Sequence, residues 1–150
     1  MDQVGNNGEG SAHGTSATVM VHLPKKLWLG KLSRAFPYCG IEIKSFLPIQ
    51  QDPPVGNSLI RIFGDKIQQV REKLPSYLSL KNYYIMDESS THITLNTHTN
   101  DPLLLKVIME QMIIVNFPVK IEKGIAKFDL TCSRENLDGF LTGLEEKGIN

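Results

Sequence analysis

The chain has 150 residues, of which 41% are hydrophobic and 21% charged, a composition typical of a globular protein that builds its core without a metal or a disulfide. Sixteen Lys and Arg balance sixteen Asp and Glu, so the formal net charge is zero. Because a protein that grips a phosphate backbone carries a basic excess, this balance argues against direct binding of DNA or RNA. Two cysteines, no signal-peptide pattern and only short apolar runs predict a cytoplasmic protein that does not span a membrane.

The N-terminal half of the chain has the pattern of a β-α-β-β-α-β unit. It follows a glycine-rich stretch, residues 1–17, whose low apolar content predicts a disordered tail. Apolar residues then alternate with polar ones in some segments and recur at helical spacing in others. Pro37 and Pro75 are predicted to end the two helices, and Asp65 to cap the second. In chain order the predicted elements are a strand at 18–23, a helix from Pro24 to Phe36, strands at 41–47 and 59–63, a helix from Asp65 to Leu74 and a strand at 82–86.

The C-terminal half repeats this order but stops one strand short. Its first helix is apolar on most sides, which predicts deep burial. Ser133 stands where a cap would begin the last helix, and Gly148 where that helix would end. In chain order the predicted elements are a strand at 91–97, a helix at 103–113, a hairpin of strands 119–122 and 125–130 that turns over Lys123-Gly124, and a helix after Ser133.

The element order predicts an α+β sandwich of tandem ferredoxin-like, or ACT-like, βαββαβ units, the second lacking its last strand. The predicted divisions are a disordered tail at 1–17, a first unit at 18–88 and a second, incomplete unit at 89–150. The missing strand leaves an open sheet edge, and open edges recruit a partner strand. Three candidates to fill it are the strand Val19–Leu23, chain beyond Asn150 and a second copy of the protein in a homodimer.

The four histidines do not predict a metal site. His13 lies in the glycine-rich stretch, His22 and His92 lie on predicted strands, and His98 lies in a loop. His92 and His98 are six residues apart, which is no recognised ligand spacing, and a metal needs several ligands that converge. We therefore predict surface or structural roles for the histidines, and no metal or other cofactor.

Cysteines, a glycine turn and two acidic pairs are the remaining candidates for catalysis or ligand binding. Cys39 and Cys132 lack a catalytic signature, so we predict small buried side chains, although the helix after Cys132 would lower its thiol pKa slightly. Phe63-Gly64-Asp65, followed by Lys66, has one glycine where a phosphate loop needs several. Asp87-Glu88 and Glu145-Glu146 are predicted to be a strand-end turn and an exposed helix face. These patterns predict no catalytic residue and no enzyme.

The first predicted helix leaves one nucleic-acid alternative open. Trp28 and Phe36 are most simply core residues, but an exposed aromatic with basic neighbours is a stacking platform for bases. The basic neighbours on or near this helix are Lys25, Lys26, Lys31 and Arg34.

Several local runs resemble the N-terminal region of archaeal transcription regulators of the bacterio-opsin activator type. The resemblance spans residues 19–149. It is carried by Pro24 with Leu29-Gly30, Ile41-Glu42 to Leu47-Pro48, Ile62-Phe63-Gly64-Asp65, Tyr83-Tyr84, Phe128-Asp129-Leu130 to Leu137-Phe140-Leu141, and Lys147-Gly148-Ile149. It implies an α/β regulatory region joined in those proteins to a helix-turn-helix, and this sequence has no helix-turn-helix.

These observations leave three hypotheses for function. The first is a non-catalytic sensor or dimerisation domain of an archaeal transcription regulator, which lacks the DNA-binding helix-turn-helix and responds to a small-molecule effector. The second is a free-standing ACT-like domain that binds a small molecule. An enzyme on a ferredoxin-like scaffold ranks last, because no acid, base and nucleophile converge in the sequence and fold alone does not decide function.

Overall fold

The computed structural model describes residues 14–49, 55–79, 81–99 and 112–146. Seven strands and three helices lie in these ranges. They are β1 (Gly14–His22), α1 (Trp28–Ala35), β2 (Gly40–Ile49), β3 (Val55–Phe63), α2 (Ile67–Tyr77), β4 (Tyr83–Glu88), β5 (His92–Thr99), β6 (Ile114–Glu122), β7 (Ile125–Ser133) and α3 (Arg134–Glu146).

The seven strands form one sheet in the order β1-β7-β6-β2-β3-β5-β4, and every neighbouring pair is antiparallel. The predicted tandem βαββαβ fold is therefore wrong. Its first unit needs β1 beside the strands of the N-terminal half, but the β6–β7 hairpin lies between β1 and β2. The predicted boundary between 88 and 89 falls in the turn between β4 and β5, which pair with each other.

The predicted open edge of the C-terminal half is also wrong, because β1 covers it. β1 pairs with β7 along its full length, from Gly14 opposite Ser133 to His22 opposite Ile125. Residues 14–17, assigned from the sequence to the tail, are thus the first part of this strand. The N-terminal strand was one of three candidates to fill the edge, and it fills it without a second copy of the chain.

One hydrophobic core lies between the sheet and the three helices. Alternate residues of the strands point into it, including Val21, Ile41, Ile62 and Leu130, which are all nearly inaccessible to solvent. The helices contribute buried apolar stripes that belong to the same cluster: Leu29 and Leu32 of α1, Ile67, Val70 and Leu74 of α2, and Phe140 and Leu144 of α3. The sheet's other face carries no described helix, and we call it the open face.

The element types were predicted well, but several helix ends were not. The β6–β7 hairpin turns over Lys123-Gly124 as predicted, and Ser133 caps α3 by accepting a hydrogen bond from the Asn136 N–H (3.1 Å). Asp65 does not cap α2, which begins after Lys66 without a side-chain cap, and Pro75 lies inside that helix. The predicted helix at 103–113 falls almost entirely outside the described residues, as does Gly148.

Candidate ligand-binding cleft on the open sheet face

The open face is built from the strand residues that alternate with the core residues. Paired residues of an antiparallel sheet lie on the same face, so the register shows which side chains are neighbours there. Arg61 on β3 lies opposite Glu42 on β2 and opposite Thr94 on β5. One row of polar side chains therefore crosses the middle of the sheet.

A cleft of about 430 Å³ opens where β3 ends on this face. That volume lies within the range of small-molecule sites. Its wall combines one cation, two carboxylates, an aromatic ring, a glycine and a hydroxyl. The six lining residues are Glu42, Arg61, Phe63, Gly64, Asp65 and Thr91, and we call the site the Arg61 cleft.

Arg61 is held in this position by its neighbours on β3. Ile60 and Ile62 point into the core and are 2% and 0% exposed, so strand alternation forces Arg61 onto the open face. Its Nε atom is buried and has no hydrogen-bond partner among the described residues. A buried donor without a partner costs about 1–3 kcal/mol, more when the group is charged. A ligand that supplied an acceptor would remove that cost.

The floor and rim of the cleft depend on two glycines. Phe63 lies opposite Gly40, and a Cβ on Gly40 would stand 2.5 Å from the Phe63 ring, so the ring packs where a side chain is missing. Gly64 has a φ of +151°, and its N–H donates to the Thr91 carbonyl (3.0 Å). A Cβ there would approach the Cys39 sulfur at 3.1 Å. These contacts join Phe63, Gly64 and Thr91 into one wall of the cleft.

The charges of the cleft favour a ligand that carries both signs. Glu42, Asp65 and Arg61 are the ionisable residues that line the cleft, so their side chains sum to one negative charge. A simple anion would meet net repulsion there. A molecule with a carboxylate for Arg61 and an ammonium for the two carboxylates would satisfy every charged group.

A cluster of Asp87, Ser89 and His92 lies at the turn beside the cleft. His92 Nε2 is 2.8 Å from Asp87 Oδ2, and Ser89 Oγ is 2.8 Å from His92 Nδ1. Ser89 Oγ also accepts the Thr91 N–H (3.1 Å). The hydrogen bond from His92 holds the pKa of the Asp87 carboxyl below its ordinary value, and the charge of Arg61 adds a smaller effect in the same direction.

The order hydroxyl, imidazole and carboxylate is also that of a nucleophilic relay. In such a relay the carboxylate is buried and orients the imidazole, whereas the Asp87 side chain is 66% exposed. Ser89 belongs to the tight turn and already accepts a backbone N–H. The cluster therefore orders the turn that carries Thr91 to the cleft.

The other histidines lie apart from the cleft. His22 is exposed on β1, His98 packs against Tyr84 with ring centroids 6.3 Å apart, and His13 lies outside the described residues. Within residues 14–49, 55–79, 81–99 and 112–146, no group of three His, Cys, Asp or Glu side chains is close enough to hold a metal ion.

Both cysteines are free and buried, as predicted. Burial, with a smaller contribution from the charge of Asp65, raises the pKa of the Cys39 thiol. Burial also raises the pKa of Cys132, so the predicted lowering by the following helix is wrong. Cys39 contributes to the site only by packing under Gly64.

Trp28 and Phe36, the aromatic residues of the first predicted helix, are partly buried and buried, respectively. Phe36 is buried, and Trp28 packs against the core. Arg34 is engaged in a hydrogen bond to the Leu23 carbonyl, while Lys25, Lys26 and Lys31 are exposed. Glu145 and Glu146 are exposed at the end of α3, as predicted.

The sequence analysis missed Arg61 and gave Glu42 no function. One signal was available, because Arg61 is the single charged residue in the predicted strand 59–63, whose other residues are apolar. Its pairing with Glu42 depends on the sheet register, which the sequence pattern does not give.

The chain matches no model of a known protein family, and a search of curated proteins finds no match either. The resemblance to bacterio-opsin activator-type regulators therefore stays a prediction. Among the described residues, no helix has the length and apolar character needed to cross a bilayer.

Proposed function

We propose that this protein is a non-catalytic regulatory domain that senses a small zwitterion, of the class of free α-amino acids, at the Arg61 cleft. The observation that carries this proposal is Arg61, whose buried Nε lacks a partner in the described part of the chain and whose side chain lines a cleft of ligand size. Natural proteins retain such an uncompensated group where function requires it.

The expected mode of binding follows from the side chains of the cleft. Arg61 presents a planar fork of donors that matches a carboxylate. Glu42 and Asp65 accept hydrogen bonds from the ammonium group, and the Thr91 hydroxyl supplies a further donor or acceptor. The Phe63 ring offers an apolar surface for a ligand side chain.

The same charges argue against two other ligand classes. Phosphate and nucleic acid would bring several negative charges to a cleft that already has an excess carboxylate. A simple amine would leave Arg61 without an acceptor. The zwitterion is the class that satisfies all three ionisable groups.

The role in transcription regulation rests on the sequence resemblance. We propose that ligand binding is passed to an attached helix-turn-helix domain, because the described residues of this chain carry no recognition helix of that type. Two free, buried cysteines support the proposal of a cytoplasmic location, where thiols stay reduced.

The test is an NMR titration of the labelled chain with each common free α-amino acid up to about 10 mM, a range that covers weak metabolite binding. Acetate and methylamine titrations form separate arms. We expect the backbone amide signals of Gly64 and Thr91 to shift with at least one amino acid. The isolated carboxylate and amine should bind at least about tenfold more weakly, because each satisfies only part of the site.

Two variants on the open face make the test specific. Arg61→Met should weaken binding at least about tenfold, since it removes the charge-assisted hydrogen bonds, while leaving the chain folded because it removes an unpartnered donor. Lys127→Met is the matched control, an exposed cation on β7 outside the cleft, and should bind as the parent does. No shift with any amino acid, or unchanged binding by Arg61→Met, would overturn the proposal.

A further inference from the structure

Strand β4 is an edge of the sheet, and its outward backbone is unpaired among the described residues. It pairs with β5 on one side and with no described strand on the other. Its centre is apolar, and Tyr84 and Met86 are 55% and 56% exposed. Native proteins protect such edges with charges, bulges or a covering partner. Here a bulge lies between Ile85 and Asp87, but no described residue covers the apolar centre.

We infer that β4 pairs with β4 of a second copy of this chain, which joins two sheets edge to edge in a homodimer. An antiparallel strand pair related by a two-fold axis uses the same surface on both subunits. The strand must therefore be complementary to itself when reversed, and the sequence of this edge has that property.

The charges at the two ends of the edge carry the inference. The exposed cation Lys81 lies two residues before the first residue of the strand, and the carboxylates Asp87 and Glu88 end it. When the strand is paired with a reversed copy centred on Tyr84, Lys81 of each subunit lies beside Asp87 and Glu88 of the other, because the bulge after Ile85 adds one residue to the spacing. The uncharged centre lies on the two-fold axis, where a charged residue would meet its own copy and repel it.

Two existing contacts leave these carboxylates accessible. Arg71 on α2 binds Glu88 at 3.0 Å, yet the Glu88 side chain remains 38% exposed. His92 binds Asp87 on the open face. Lys81, by contrast, makes only a backbone contact to Ser79 Oγ (3.4 Å) among the described residues, so its side chain is available to a partner.

The proposed dimer contact and the proposed ligand site lie on different parts of the molecule. The Arg61 cleft lies on the sheet face near the end of β3, whereas the dimer uses the backbone edge of β4. The association is therefore measured without ligand, and Arg61→Met should not change it.

The experiment is sedimentation equilibrium of the full chain from about 10 µM to about 1 mM, the range expected for an interface of this small size. The parent chain should show a monomer–dimer equilibrium. Lys81→Glu and Glu88→Lys should each weaken the dimer about tenfold, because each creates two like-charge contacts by symmetry. Lys127→Glu, a charge reversal on β7, is the control and should leave the equilibrium unchanged.

Mixing the two weakened variants gives the sharpest result. In the mixed dimer both contacts between residues 81 and 88 again join opposite charges, so the mixture should dimerise about as tightly as the parent. If Glu88→Lys melts early through loss of its Arg71 partner, the Lys81→Glu result alone decides. A parent chain that stays monomeric throughout, or unchanged dimerisation by Lys81→Glu, overturns the inference, as does association only with an unrelated extended peptide.

Discussion

Individual side chains on the open face are constrained by the strand to which they belong rather than by their own chemistry. Arg61 points out because Ile60 and Ile62 must point in, and this alternation carries its Nε into a position without a partner. Phe63 is directed to the same face and covers Gly40. The cleft thus arises from two outward positions on β3 and the two residues opposite them on β2, rather than from a continuous motif.

The hydrogen bond between His92 and Asp87 can be tested through the pKa of the Asp87 carboxyl. Replacing His92 with Ala should raise the pKa of Asp87 towards its ordinary value, because the hydrogen bond from His92 is the main cause of its lowering. A carboxyl with a lowered pKa stabilises the fold above its unfolded-state pKa and loses that effect as pH falls through the folded-state value. The contribution of Asp87 to the stability of the fold should therefore change with pH only in acid, below the ordinary pKa of an aspartate.

The measurement is a carboxyl-carbon NMR titration of the parent chain and of His92→Ala. His98→Ala is the matched control, since His98 lies on the same strand and packs on Tyr84 instead of Asp87. An unchanged Asp87 titration in His92→Ala would mean that the hydrogen bond does not form in solution.

The junction between α1 and the β6–β7 hairpin joins the N-terminal and C-terminal halves of the chain. Buried Ser33 accepts the Gly124 N–H (2.9 Å) and donates to the Gly30 carbonyl (3.1 Å). The Gly124 carbonyl accepts the Leu23 N–H (2.8 Å). Gly124 has a φ of +79°, and Arg34 packs so closely on it that a Cβ would lie 2.5 Å from Arg34 Nε.

Ser33→Ala should lower the free energy of unfolding by about 1–3 kcal/mol, because it leaves the buried Gly124 N–H without its partner. The control is Ser76→Ala on α2, where an exposed hydroxyl bonds the Lys73 carbonyl and water can replace it, so the expected change is within about 0.5 kcal/mol. Urea denaturation measures both. Equal losses for the two variants would contradict a special role for Ser33.

The elements themselves could be predicted from the sequence because each has a local cause. Alternation of apolar and polar residues identified the strands, and apolar residues at helical spacing identified the helices. Ser133 identified the start of the last helix. The prediction that Asp65 caps α2 was wrong because a residue suited to capping does not by itself form the hydrogen bond. The prediction that Pro75 ends α2 was wrong because the helix continues past it to Tyr77.

The order of the strands in the sheet could not be predicted in the same way, because it depends on contacts between residues that are distant in sequence. Periodicity shows which face of a strand is buried but not which strand lies beside it. Thr18 on β1 bonds Asp129 on β7 at 2.9 Å, across 111 positions of sequence. That pairing inserts the C-terminal hairpin between β1 and β2, converts two expected units into one sheet, and brings Glu42 and Arg61 to the middle of a continuous face.

One sheet over one core predicts that the protein unfolds in a single cooperative transition. Each of the three described helices belongs to the same hydrophobic cluster, so we expect none of them to lose its packing while the rest of the described core keeps its own. The single Trp28 reports on α1 by fluorescence, and far-UV circular dichroism reports on all the strands. We expect the two signals to give the same midpoint in urea.

Val21→Ala, a core truncation in β1, should shift both curves together by about 2 kcal/mol. Met20→Ala, its exposed neighbour, should shift neither. Two separate transitions, or a Val21→Ala shift in only one signal, would show two independent units instead of one sheet.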